Sequence, residues 1–357
     1  MRKMMSVTSV VRLLTRKSCL KCGSKQVQPH RFFKREAGDG GRIKTKKATK
    51  EKKIIDAKFN EKGSLEKFEV QYDSNHVTVP YRSLLKPFGF ACLFTGCSFG
   101  GAVIWQYEGL RFKALEKFKR QLGQHARSIP KAGELRQRVN QWFESLSGTE
   151  KVTLGIVAAN IAVFACWRIP AMQFFMIKWF SASPASSAVC LPMVLSTFSQ
   201  YSFWHLGINM YVLWSFAPSI GMALGKEQFL AMYLSSGVWA SFASYALKVA
   251  TCKYHPSLGA SGAIMAVLAA VCTQYPDSRL AVVFLPFFTF SAGSALKFLI
   301  GMESMGVVLG WQFFDHAAHL AGLLCGCYYM SYGNKQIWQK REPLMSAWHK
   351  YRGPKEI

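Results

Sequence analysis

The sequence predicts an all-α integral membrane protein, one extra transmembrane helix followed by a six-helix core, and three observations carry that prediction. Half of the 357 residues are hydrophobic, yet the formal net charge is +26, and a mean hydropathy of +0.09 is too high for a soluble domain so charged. The two properties are segregated: residues 1–86 are polar and strongly basic, whereas residues 87–332 read as a succession of apolar segments. Seven of those segments approach the ~20 residues that a helix needs to cross a bilayer.

The N-terminus reads as an address. Ten Lys and Arg residues fall between Arg2 and Arg35, interleaved with Ser and Thr, and the first acid is Glu36. That pattern is a mitochondrial transit peptide, assigned to residues 1–50; a secretory signal would need an apolar run longer than Val10–Leu14, which Arg12 interrupts. Residues 51–86 continue as a lysine-rich, low-hydrophobicity segment expected to stay unfolded or to be partly removed. The remaining basic residues lie in tails and loops, without an aromatic-plus-basic surface motif. They are therefore read as topology signals rather than as a nucleic-acid surface. Basic residues flank the first span on both sides, so loop charge alone assigns no orientation. Cys19-x-x-Cys22 lacks the second ligand pair that a zinc site needs. Cysteines such as Cys92, Cys166, Cys272 and Cys325 sit inside apolar runs as small hydrophobes.

The spans follow in order. Residues 87–106 form the extra helix and residues 107–151 a basic, partly amphipathic connector interrupted by Pro130. The core occupies residues 152–333 and opens with the second span, Val152–Trp167. The long aromatic loop Arg168–Ser202 is expected to lie in the membrane interface. Phe203–Leu224 and Gln228–Val249 are the third and fourth spans, made antiparallel by the three-residue link Gly225–Glu227. The fifth, Leu258–Gln274, is bounded by Pro256 and Pro276. It is only about 25 Å long, so one end must stop below the membrane surface. Leu280–Phe290 reads as an interfacial or re-entrant piece, Ser291–Trp311 as the sixth span with Lys297 and Glu303 tolerated inside it, and His316–Tyr332 as the seventh. Residues 334–357 form a basic tail.

Three polar constellations share one position. His205 and Asn209 lie near the start of the third span, Ser261 near the start of the fifth, and His319 near the start of the seventh. Alternate helices of an antiparallel series enter from the same side, which puts all three at one depth. Polar groups there are costly and point to function. Ser261 has the makings of an acyl-transfer nucleophile and His319 of its base. His205 and Asn209, four residues apart, share a helix face and can aim donors at one oxyanion, assisted by the Ser261 backbone N–H. Gly322 and Gly326, one turn below His319, and Gly262 and Ala266, starting one residue after Ser261, form small-residue faces that let two helices approach closely. Gly259 is counted with them as a helix-packing residue near the site. The acid nearest His319 in sequence, Asp315, lies four residues earlier at the membrane edge, so a Ser–His dyad is expected. His316 is expected to cap the helix or to bond loop groups.

His-x-x-x-Asn, Gly-x-Ser-Gly and Ala-His-x-x-Gly on alternate spans resemble the rhomboid proteases, and from about Ser199 to Trp348 the chain is similar to their mitochondrial branch. The resemblance implies the rhomboid six-helix core with one extra helix before it, and an intramembrane serine endopeptidase. Its nucleophile would be Ser261, its base His319 and its oxyanion donors His205 and Asn209. It also implies single-span mitochondrial membrane proteins as substrates, a multi-pass location in the inner membrane, and a role in mitochondrial quality control. Two positions depart from the family pattern. Met265 stands where many bacterial members carry a Tyr that stacks on the catalytic His, and the stretch Val194–Phe203 lacks their Trp-Arg pair, Trp167–Arg168 falling too early to substitute. Neither metal nor nucleotide cofactor is indicated. The absence of His-Glu-x-x-His disfavours a zinc intramembrane protease, and the absence of Gly-x-Gly-Asp disfavours the aspartyl type. The rival reading, a catalytically dead relative that binds membrane clients, requires loss of the Ser or the His, and both are present. A transporter would show symmetry between halves, and none is found.

Overall fold

A computed structural model describes residues 53–59, 65–72, 79–121, 133–282 and 285–353. The transit-peptide assignment and Pro130 lie outside the described residues. The fold is mostly helical, and each of the seven predicted segments is a helix. Two antiparallel hairpins depart from the all-α expectation.

The first hairpin pairs β1 (Lys53–Phe59) with β2 (Leu65–Tyr72), Ala57 opposite Phe68. It replaces the unfolded segment expected there: Ile54, Ile55, Phe68, Val70 and Tyr72 are residue types that favour strands within an otherwise charged stretch. The second pairs β3 (Arg279–Val282) with β4 (Leu285–Ser291), Ala281 opposite Thr289. It takes the place of the interfacial piece. A short apolar run has no period that separates helix from strand, and Pro286 is tolerated in a two-stranded edge.

Helix α1 spans Leu85–Gln121, continuing past its predicted end because Glu108–Gln121 is rich in good helix formers. At about 55 Å it outruns the hydrocarbon core. Within the connector, α2 is Glu134–Ser145, and α3 is Gly148–Cys166 behind a reciprocal Ser147–Glu150 capping box. The long loop does not simply lie in an interface. It folds into α4 (Gln173–Trp179) and α5 (Cys190–Leu195), buries Met176 and Met193, and bridges Ala182 to Ser257 through two backbone hydrogen bonds. Trp167 Nε1 donates to Ser199 Oγ at 2.7 Å and Arg168 Nη2 to the Tyr201 carbonyl at 2.8 Å. Trp167–Arg168 therefore does hold this loop, acting across space where sequence distance argued against it.

Helices α6 (Phe203–Leu224) and α7 (Lys226–Thr251) form the antiparallel pair. Next come α8 (Ser261–Gln274), α9 (Ala292–Leu309) and α10 (His316–Tyr328), the last running on as a π-helical stretch, Tyr329–Trp338. Helix α8 is apolar around nearly its whole circumference, and between Gly262 and Cys272 all but Met265 and Leu268 are buried, as befits a helix at the centre of a bundle. Tyr81–Gln121, Gly148–Cys166 and Ala292–Leu309 are each long and apolar enough to cross a membrane, and Ser261–Gln274 is apolar but short. Helix α11 (Glu342–Arg352) straps the tail to α1. The Trp348 indole and Arg352 both bond the Glu108 carboxylate.

Candidate active site

Ser261 is the first residue of α8, and the chain reaches it through Gly259 at φ +143°. Only glycine adopts that conformation readily. A side chain at Gly259 would also press on the His205 ring, 3.0 Å from Cε1, and lie 3.6 Å from Ser261 Oγ. Gly259 is thus a turn residue beside the site rather than a helix-packing one. Helices α6 and α10, which bring in the other groups, are capped by Ser202 and Asp315, but α8 starts on Ala260 with no side-chain cap. Its first-turn N–H groups lack intrahelical partners and a side-chain cap.

His319 Nε2 lies 2.8 Å from Ser261 Oγ. Close approach of α8 and α10 makes this possible. A Cβ on Gly322 would run into the Gly262 carbonyl, one on Gly326 into the Ala266 carbonyl, and one on Gly262 into Ala240 of α7. Asp315 fixes the height of α10. Its Oδ1 accepts from Ala318 N, and its Oδ2 meets Ser244 at 2.5 Å and Lys248 at 3.4 Å, both on α7. Lys248 also donates to Ser257 at 2.7 Å, tying α7 to the segment that leads into Gly259 and Ser261.

Sequence distance to Asp315 had suggested a dyad, but a carboxylate does reach the base. Glu303, on α9 and 1% exposed, accepts from both histidines of α10: His319 Nδ1 at 3.1 Å to Oε1 and His316 Nδ1 at 2.6 Å to Oε2. A carboxylate only accepts, so both Nδ1 atoms carry hydrogen and His319 Nε2 presents its lone pair to Ser261. His316 is buried on this carboxylate, with Gly306 against its ring, and does not cap the helix as expected; Asp315 does the capping. The aromatic face near His319 comes from Phe314, whose ring centroid is 6.0 Å away, while Met265 packs toward Gly322.

Asn209 is 6% exposed, and its Nδ2 donates to Gln200 Oε1 at 3.0 Å. Gln200 Nε2 in turn donates to Asn160 Oδ1 at 3.2 Å. His205 is half-buried, one turn before Asn209. A small cavity beside Ser261 is lined by Ser196, Ser241, Ser257 and Asp315. Among the described residues no group of three or more His, Cys, Asp or Glu is arranged to hold a metal ion.

Sequence reasoning missed Glu303, Gln200 and Asn160. In the sequence Glu303 is only a charge tolerated inside an apolar span, and Asn160 is likewise a polar residue inside one, which is a sign of function that needs a partner to be read. Gln200 carried no signal.

The Rhomboid domain family matches residues 189–335. The chain is 54% identical over 281 residues to the presenilin-associated rhomboid-like protein, mitochondrial, of Mus musculus, covering 78% of this chain and 74% of that protein. Identity to the Homo sapiens protein of that name is 53% with the same coverage. To Rhomboid protein 1, mitochondrial, of Saccharomyces cerevisiae it is 31% over 202 residues, 56% of this chain and 58% of that protein.

Proposed function

The chain belongs to the rhomboid family, and from that premise we propose that it is an intramembrane serine endopeptidase that cleaves single-span membrane proteins in or near their membrane segment. The observation that carries the proposal is the Ser261 Oγ–His319 Nε2 contact of 2.8 Å, backed by Glu303 on His319 Nδ1. Ser261 attacks the scissile carbonyl as its proton passes to His319 Nε2. The Glu303 carboxylate stabilises the imidazolium and keeps the ring in register. The oxyanion is met by the Ser261 N–H, with His205 and Asn209 as side-chain donors. His319 then protonates the leaving amine, and water from the cavity beside Ser261 hydrolyses the acyl-enzyme by the same proton path in reverse. No step draws on a metal or cofactor.

The protein is a mitochondrial membrane protein, in keeping with its relatives' names and its apolar helices. The basic, acid-free N-terminus supports import, and we assign it to the inner membrane with a role in protein processing and quality control there. A client-binding relative without catalysis would leave Ser261 unreactive. A fluorophosphonate probe separates the two: covalent labelling of the wild type that is absent in Ser261→Ala supports the protease, and an unlabelled wild type contradicts it.

A further inference from the structure

Three buried amides connect the second predicted span to Asn209, and their polarity is fixed from one end. Asn160 Nδ2 donates to the Ile156 carbonyl at 2.9 Å, Gln200 Nε2 to Asn160 Oδ1 at 3.2 Å, and Asn209 Nδ2 to Gln200 Oε1 at 3.0 Å. Asn160 and Gln200 are 0% exposed and Asn209 is 6% exposed. A backbone carbonyl can only accept, so Asn160 must turn its NH2 toward Ile156 and its oxygen toward Gln200. Gln200 must then offer its NH2 to Asn160 and its oxygen to Asn209, and Asn209 must offer its NH2 to Gln200. The order follows from the anchor and does not depend on how any single amide is labelled.

A flipped Asn209 would set its oxygen against the Gln200 oxygen, acceptor against acceptor, at a buried position. An oxyanion needs a donor, and the flipped state would offer it an acceptor. The primary amide nitrogen carries two hydrogens, so the bond to Gln200 leaves one for substrate. Gln200 is itself held in place, because its neighbours Ser199 and Tyr201 are pinned by Trp167 and Arg168.

We propose that the Ile156–Asn160–Gln200–Asn209 series is a polarity lock, in which Gln200 is the positioning residue that keeps Asn209 turned as a hydrogen-bond donor toward the Ser261 oxyanion. The inference rests on the reading of Asn209 as an oxyanion donor, and it adds the residue that sets the orientation of that donor. Gln200 touches no reacting atom, so its whole effect on chemistry passes through Asn209. That distinguishes it from a residue that merely supports the fold.

The test is a double-mutant cycle on the full chain reconstituted in liposomes, with a fluorophosphonate as probe and kinact and KI measured separately. The phosphonyl oxygen occupies the position of the oxyanion. Gln200→Leu is expected to lower kinact about tenfold or more with KI within about twofold. Asn209→Ala is expected to lower kinact at least as much. Adding Gln200→Leu to Asn209→Ala is expected to lower it by no more than about twofold further. An equal loss in both backgrounds, or a normal kinact in Gln200→Leu where Asn209→Ala is slow, overturns the lock and leaves the oxyanion assignment standing. A normal kinact in Asn209→Ala overturns the assignment and the lock with it. Should Gln200→Leu unfold, Asn160→Leu carries the same cycle, because it frees the Gln200 amide to flip. Its loss must appear only where Asn209 is present, and an equal loss beside Asn209→Ala overturns the lock.

Discussion

Glu303 Oε1 accepts from His319 Nδ1 at 3.1 Å, across two helices and sixteen residues of sequence. With His319 Nε2 on Ser261 Oγ, this contact joins a carboxylate, an imidazole and a hydroxyl, and Glu303 divides its two oxygens between His319 and His316. Removing the charge while keeping the shape separates orientation from packing. Glu303→Gln can present an NH2 to Nδ1 and so favour the tautomer with hydrogen on Nε2, which cannot take the Ser261 proton. Turnover on a reconstituted single-span substrate is expected to fall by roughly two orders of magnitude or more. Undiminished turnover in a folded Glu303→Gln protein would remove the carboxylate from the proton path.

The two histidines of α10 share that carboxylate but only His319 touches Ser261. His319→Ala is expected to lose proteolysis as completely as Ser261→Ala. His316→Ala is expected to keep a substantial part of it, since Glu303 retains His319, and to show its effect as a lower Tm from the space opened beside Gly306. The reverse ranking of the two mutants would show that the base has been assigned to the wrong ring.

Helix approach is tested without touching a chemical group. A methyl on Gly322 meets the Gly262 carbonyl, so Gly322→Ala must push α10 away from α8. A displacement of about 1 Å can cost on the order of a hundredfold in rate. Activity is expected to fall while Ser261, His319 and Glu303 are all intact. Wild-type kcat in Gly322→Ala would mean that the two helices need not meet so closely.

How much of this was legible in the sequence depended on whether the signal was local. Hydropathy located seven segments that are helical in the structure, because burial in lipid or at a bundle centre is written into each segment separately. The 3.6-residue spacing put His205 with Asn209, and the small residues at Gly262, Gly322 and Gly326 marked where α8 and α10 touch. What stayed hidden was pairwise. Glu303 could be seen as an acid inside a span, but only the packing of α9 on α10 says that it faces His319 rather than Lys297 or a loop. Gln200 sits in a loop read as interfacial, and nothing at Gln200 itself announces Asn160 or Asn209. Trp167–Arg168 was discounted on distance along the chain, yet the fold brings it onto Ser199 and Tyr201. The hairpin at Arg279–Ser291 was missed because a short apolar run satisfies its backbone equally well as a strand pair or as a helix.

The most direct test of the account is cleavage of a single-span membrane protein by the purified full chain in liposomes, wild type against Ser261→Ala, with the cleavage site mapped by mass spectrometry. The account predicts one or a few cuts in or near the membrane segment with the wild type and none with Ser261→Ala, which should insert and unfold as the wild type does. Cleavage at the same bond by Ser261→Ala would contradict it.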